Sequence, residues 1–105
     1  MNDSKQILTA DEITAAALPQ WRHAEGALHV TYATGDFATG LALVDRIGEA
    51  AEAADHHPDL HLTYPTVSVT LTSHDAGGVT RRDVDMARRI DEFAAAAGVG
   101  TAEGA

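Results

Sequence analysis

The sequence has no cysteine in 105 residues. A disulfide framework, a thiolate nucleophile and a cysteine-based zinc site are therefore excluded. Cations are scarce too: seven Lys and Arg stand against sixteen Asp and Glu, for a formal net charge of −9. Anionic surfaces are gripped by Lys and Arg, so neither nucleic acid nor a membrane is expected as a direct partner. No stretch approaches the ~20 apolar residues of a membrane-spanning helix. The opening MNDSKQILTADE lacks the apolar run of a signal peptide, and a cytoplasmic location is the expectation. There is no internal repeat, linker or low-complexity block to divide the chain. What is present is a globular mixture, 45% hydrophobic and 22% charged, of a length that fits one domain. That domain is expected over residues 1–97, with the Gly-containing stretch 98–105 as a flexible tail. A core of this size gains from association, and the alanine-rich helix faces predict a homo-oligomer, a dimer at least.

Local patterns set the element order. Thr9-Ala10-Asp11-Glu12 is a capping box, with Thr9 as N-cap and Glu12 at the third helical position; it predicts a helix over 10–18 that stops before Pro19. Trp21–His23 and Leu28–Ala33 read as two strands around Glu25-Gly26, the second with Leu28, Val30 and Tyr32 on one face. Asp36 is the N-cap of a helix over 36–55 whose apolar positions are Phe37, Leu41, Val44, Ile47, Gly48 and Ala51. Pro58 ends it. Leu60–Tyr64 and Thr66–His74 alternate again, and Tyr64 shares the apolar face of Leu60 and Leu62, which predicts packing. A turn at Ala76-Gly77-Gly78 precedes a second capping-box start at Thr80–Asp83 and a helix over 80–96. The order α-β-β-α-β-β-α, with cleanly alternating strands, predicts an α+β fold: a four-stranded antiparallel sheet with three helices on one face.

Four of the six histidines, His56, His57, His61 and His74, fall within Glu52–His74. As metal ligands they are poorly arranged. Pro58 breaks the helical spacing between His57 and His61, and no carboxylate pattern completes a set, so no metal is expected. His23, His29 and His61 read as solvated strand residues. His56 and His57 at a helix end and His74 at a strand end are placed for convergence, and imidazole is suited to both giving and taking a proton near neutral pH. A dehydration requires both acts.

Glu52, then His56-His57-Pro58, Tyr64, His74 and Asp83, at these spacings, resembles the signature of the pterin-4a-carbinolamine dehydratases. The likeness extends back through GDFATGLALVDRIGEAA to Trp21 and LTADE, covering most of residues 7–93. It implies the four-stranded antiparallel fold, a dimer or tetramer, no cofactor, and loss of water from 4a-hydroxytetrahydrobiopterin to give quinonoid dihydropterin. It further implies His56 and His74 as the acid–base pair, with His57 orienting the ring. Glu52, one turn before His56, is placed to hold that imidazole, although it also lies on the polar row Asp45–Glu49–Glu52. Asp83 is both a helix-start carboxylate and an inward-facing residue, which suggests a supporting role, holding His74. Many relatives carry aromatics after the His-His-Pro; this chain has Asp59-Leu60-His61, which implies a smaller stacking surface for a flat pterin. The alternative function is a non-catalytic interaction or assembly module of the same fold.

Overall fold

The computed structural model describes residues 5–102. The chain runs through helix α1 (Ala10–Ala15), strands β1 (Arg22–Ala24) and β2 (Ala27–Ala33), helix α2 (Phe37–Ala54), strands β3 (Asp59–Leu62) and β4 (Thr66–Leu71), helix α3 (Arg81–Ala96) and the short strand β5 (Gly100–Thr101). Each helix starts on the cap written in the sequence. The Thr9 hydroxyl accepts from the Glu12 N–H at 3.1 Å while the Glu12 carboxylate accepts from the Thr9 N–H at 2.8 Å. Asp36 accepts from the Thr39 N–H at 2.7 Å, and hydrogen bonding from Thr39 holds its carboxyl below the usual carboxylate range. Thr80 and Asp83 form the third cap. Each cap satisfies N–H groups that have no partner inside the helix.

All strand pairings are antiparallel, in the order β1-β2-β4-β3. Register aligns the apolar parity: Leu28, Val30 and Tyr32 stand opposite Leu71, Val69 and Val67, and Leu60 and Leu62 opposite Val69 and Val67. This apolar face shares one core with Ile13 of α1, Leu43 and Ile47 of α2, and Val84, Ala87 and Ile90 of α3. Residues of the other parity form a polar face, where Thr31 and Ser68 bond at 3.0 Å and Thr70 and His29 at 3.3 Å. The fold is the expected α+β arrangement. Asp91 ties α3 across the sheet, accepting from the Trp21 indole at 3.1 Å and from the Tyr32 hydroxyl. Burial, and then the carboxylate, push the Tyr32 phenol far above its ordinary value.

The structure departs from the sequence expectations in several places. α1 ends at Ala15 because Ala17 takes a left-handed conformation, φ 58°, before Pro19 is reached. β3 stops at Leu62, so Tyr64 lies exposed in the turn instead of packing with Leu60 and Leu62. β4 stops at Leu71, so His74 sits in the following turn and escapes the strand alternation. β5, which pairs with β2 at Tyr32 and Ala33, falls in the stretch read as a tail; two residues are too few for a periodicity to reveal. Residues 103–105 of that stretch lie outside the described residues.

α2 is also rotated from the expected face. Its buried residues are Gly40, Leu43, Ile47, Ala50 and Ala51. A Cβ at Gly40 would meet Leu62 Cδ1 at 2.7 Å, Thr34 Oγ1 at 3.3 Å and Val67 Cγ2 at 3.3 Å. The helix therefore rides close to the sheet on its glycine, and Phe37 and Leu41 turn outward, 47% and 46% exposed. Gly40→Ala should destabilise the fold even though alanine is the better helix former by ~1 kcal/mol. Overpacking against the fully buried Val67 costs about 1–3 kcal/mol, and a urea midpoint below that of the parent checks the sign.

Candidate active site

The burial of His56 follows from how α2 ends. Asp55 is left-handed, φ 52° and ψ 43°, and its N–H donates to the Glu52 carbonyl. The His56 N–H donates back to the Ala51 carbonyl at 3.1 Å. These two bonds make a Schellman cap, which folds the residue after the left-handed position back onto the helix. In this chain that residue is His56, and it is only 8% exposed.

There its Nε2–H donates to Asp83 Oδ1 at 2.6 Å. Asp83, in the first turn of α3, is wholly buried. Its Oδ2 accepts from the Ser73 hydroxyl at 2.8 Å and from the Thr80 N–H at 2.9 Å. Because the Ser73 proton is committed to Asp83, the Thr80 hydroxyl donates to Ser73 Oγ at 2.8 Å. Thr80 Oγ1 in turn accepts from the Arg82 N–H at 3.3 Å. Every donor in this buried chain points one way, toward the carboxylate. With Nε2 occupied, His56 has Nδ1 as its remaining acceptor.

His57 points elsewhere. Its Nε2 bonds Glu52 Oε2 at 2.6 Å, with the two side chains 54% and 79% exposed. Both supporting carboxylates thus serve imidazoles other than those expected. Glu52 holds His57, because the Schellman turn carries His56 inward. Asp83 holds His56, because His74 lies in the exposed turn between Ser73 and Gly78. The link to His74 is through its neighbour Ser73, which shares Asp83 with His56. The end of α2, the end of β4 and the start of α3 meet at that carboxylate.

The sequence of residues 6–93 matches the family model described as pterin 4 alpha carbinolamine dehydratase. The chain belongs to the pterin-4-alpha-carbinolamine dehydratase family. A relative from Nocardia farcinica, named "Putative pterin-4-alpha-carbinolamine dehydratase", is 47% identical over 91 residues, covering 85% of this chain and 96% of that protein. One of the same name from Nostoc punctiforme is 43% identical, covering 84% and 97%. Among solved structures, a transcriptional coactivator/pterin dehydratase from Brucella melitensis superposes with a TM-score of 0.81 at 33% identity, covering 85% of this chain and 99% of that one. The same fold, at 24% identity and a TM-score of 0.61 over 71% of this chain and 89% of the other, is found in a pterin dehydratase-like protein described as a RuBisCO assembly factor in the alpha-carboxysome.

In this pterin dehydratase-family chain the turn that carries His74 is clasped from outside. Asp75 accepts from both terminal nitrogens of Arg82, at 2.7 and 3.2 Å, and Lys5 stands 3.9 Å away. The Arg82 hydrogen bonds hold the Asp75 carboxyl below the usual carboxylate range, and Asp75 raises Arg82 in return. A depressed carboxylate stabilises at pH above its unfolded value of about 3.9 and loses that contribution only as pH falls through its lower folded value. The clasp should accordingly survive mild acid: an NMR titration of the Asp75 carboxyl carbon is expected to show a midpoint below that of an unpaired aspartate.

A cavity of about 210 Å³ opens beside His56 between α2 and α3, lined by Ala50, Ala54, Arg82, Asp85, Met86 and Arg89 as well as His56. His57 and His74 are not among its lining residues. Among the described residues there is no cluster of three or more His, Asp or Glu side chains placed to hold a metal ion, and no helix long and apolar enough to cross a membrane.

The network includes one residue that the sequence reading passed over. Ser73 continues the inward parity of Val67, Val69 and Leu71, and a hydroxyl in that series is the available signal. The tautomer of His56 is testable. In Asp83→Asn the amide oxygen keeps Ser73 and Thr80, which leaves an NH2 facing His56 Nε2. His56 should then switch to the Nδ1–H form, visible in its ring nitrogen NMR shifts, with a loss of about 1–3 kcal/mol in stability.

Proposed function

We propose that this protein dehydrates a 4a-hydroxytetrahydropterin to the quinonoid dihydropterin by histidine acid–base catalysis, in tetrahydrobiopterin recycling. The observation that carries the reading is the split between two carboxylate–imidazole pairs, one exposed and one buried, at the family's signature positions. The substrate bears a hydroxyl on C4a and a proton on N5. Protonating the hydroxyl lets it leave as water; removing the N5 proton lets that electron pair form the new C=N bond. One proton is given, one is taken, and no electrons are gained or lost.

Exposure supports a division of roles among His56, His57 and His74. His57 is open to solvent, and with Nε2–H donated to Glu52 its Nδ1 lone pair is free to act as the base. His74, also exposed, is the partner that delivers the proton to the leaving oxygen. His56, held by Asp83 and barely exposed, positions the end of α2 relative to the His74 turn. This reverses the roles of His56 and His57 that the resemblance implies. The deciding experiment is an assay on freshly generated 4a-carbinolamine without added metal. His57→Ala and His74→Ala should each lose about 10²–10⁴ in kcat at unchanged stability. His56→Ala should lose activity and stability together, since it leaves the Asp83 carboxylate buried with a vacant acceptor site. Full activity in His57→Ala would sink the assignment.

A second reading, an oligomeric interaction or assembly module of the same fold, is favoured by one observation. Phe37 and Leu41 form an exposed apolar stripe one turn apart on α2. We expect it to join copies into a homodimer or homotetramer. Light scattering at micromolar concentration should give a multiple of the 11.0 kDa chain, and Phe37→Asp with Leu41→Asp should reduce that mass. A parent protein that is only monomeric would refute it. A folded, oligomeric protein with no dehydration activity would leave the module reading alone.

A further inference from the structure

We propose that the segment Lys5–Leu8 is a strap that fixes the position of His74, and that Ile7 is a positioning residue for the dehydration. The inference rests on the dehydratase reading and adds a residue to its site. It starts from His74 itself, exposed in the turn Ser73–Gly78. Among the described residues, His74 enters none of the turn's backbone hydrogen bonds and no ion pair. The base of the turn is closed. The Ser73 N–H donates to the Gly78 carbonyl at 3.0 Å, and the Ala76 and Gly77 N–H groups donate to the Ser73 carbonyl at 3.0 and 2.9 Å. Where His74 sits therefore depends on what holds the turn as a whole against the rest of the protein. Arg82 of α3 grips it at Asp75.

The strap takes a second hold. The Leu8 N–H donates at 2.8 Å to the carbonyl of Val79, the residue after the turn. Ile7 lies on Gly78: a Cβ there would meet Ile7 Cγ2 at 3.2 Å and its Cδ1 and Cγ1 at 3.7 Å. Unlike Gly77, Gly78 lies outside the left-handed region, so its backbone conformation does not demand glycine. The missing Cβ makes room for Ile7 instead. Lys5 approaches Asp75 at 3.9 Å, but an exposed pair of that length contributes little. The strap is itself anchored, since Leu8 packs against the core and Thr9 is locked in the first helix cap. Ile7 remains 51% exposed, so little of the core's stability rests on it. Its contact acts on Gly78 and, through the bond between Gly78 and Ser73, on the residue next to His74. A displacement of about 1 Å at a reacting group can cost about 10²-fold in rate.

The test compares the parent with Ile7→Ala and Ile7→Val, each in the full chain, by steady-state kinetics on freshly generated 4a-carbinolamine and by NMR of the histidine rings. Ile7→Ala should lower kcat about tenfold, with KM and the unfolding midpoint close to those of the parent. It should also shift or broaden the His74 ring signals and leave those of His57 in place. Valine keeps a γ-methyl where Cγ2 meets Gly78, so Ile7→Val should retain the parent kcat. Parent-like kcat in Ile7→Ala, or an effect on KM alone, overturns the inference. So does a fall in kcat with unmoved His74 signals, or one matched by a lowered unfolding midpoint. In each of these cases turnover by the parent leaves the dehydratase reading standing. No turnover by the parent overturns that reading and the role of Ile7 together.

Discussion

Asp83 is a carboxylate removed from water at the first turn of α3, and the arrangement of the site depends on its being satisfied there. Burying an isolated ion costs several kcal/mol even after relaxation. Three donors, from His56, Ser73 and the Thr80 backbone, fill its acceptor positions, and the N-terminal end of the helix dipole contributes up to about 2 kcal/mol more. Each donor comes from a different part of the chain: the end of α2, the segment just past β4, and the start of α3. Removing any one exposes the cost of the buried charge, so the three segments are held as a unit and the site inherits its geometry from that requirement.

The same constraint separates two adjacent histidines. His56 and His57 share a backbone turn, yet the Schellman cap sends the first inward to Asp83 and leaves the second outside on Glu52. A buried imidazole with a filled Nε2 is fixed in tautomer and orientation. An exposed one keeps a nitrogen available to a substrate. Adjacent residues thereby differ in burial and in carboxylate partner, and the turn geometry decides which is which.

Packing of α2 has consequences at both of its outer surfaces. Gly40 draws the helix close to Leu62 and Val67, and the resulting rotation turns Phe37 and Leu41 to solvent on one side. On the other it sets Arg46, Ala50 and Ala54 along α3, opposite Met86, Arg89 and Phe93. A single glycine thus contributes to the exposed apolar stripe, to the cavity beside His56 and to the pairing of two arginines over one ring. The β-sheet has a different logic. Its helix-free face is satisfied by hydroxyl and imidazole pairs within the sheet, such as Thr31 with Ser68 and Thr70 with His29, and that face is separate from the Asp83 network.

The sequence by itself determined the element order from α1 to α3, the antiparallel sheet and the three helix starts. These are local properties: alternation of two fixes which side chains share a face, and a capping side chain bonds within its own first turn. It also picked out His56, His57, His74, Glu52 and Asp83, because their spacing is a pattern along the chain. Which carboxylate meets which imidazole was decided only by tertiary structure. Glu52 and His56 are one helical turn apart, and the left-handed Asp55 breaks the helical projection that pairs them on paper. Asp83 lies far from His56 in sequence and meets it through the docking of α3 on the end of α2. The inward face of α2 was likewise hidden, since a hydrophobic stripe selects Phe37 and Leu41, whereas close packing selects the glycine that lets the backbone approach the sheet.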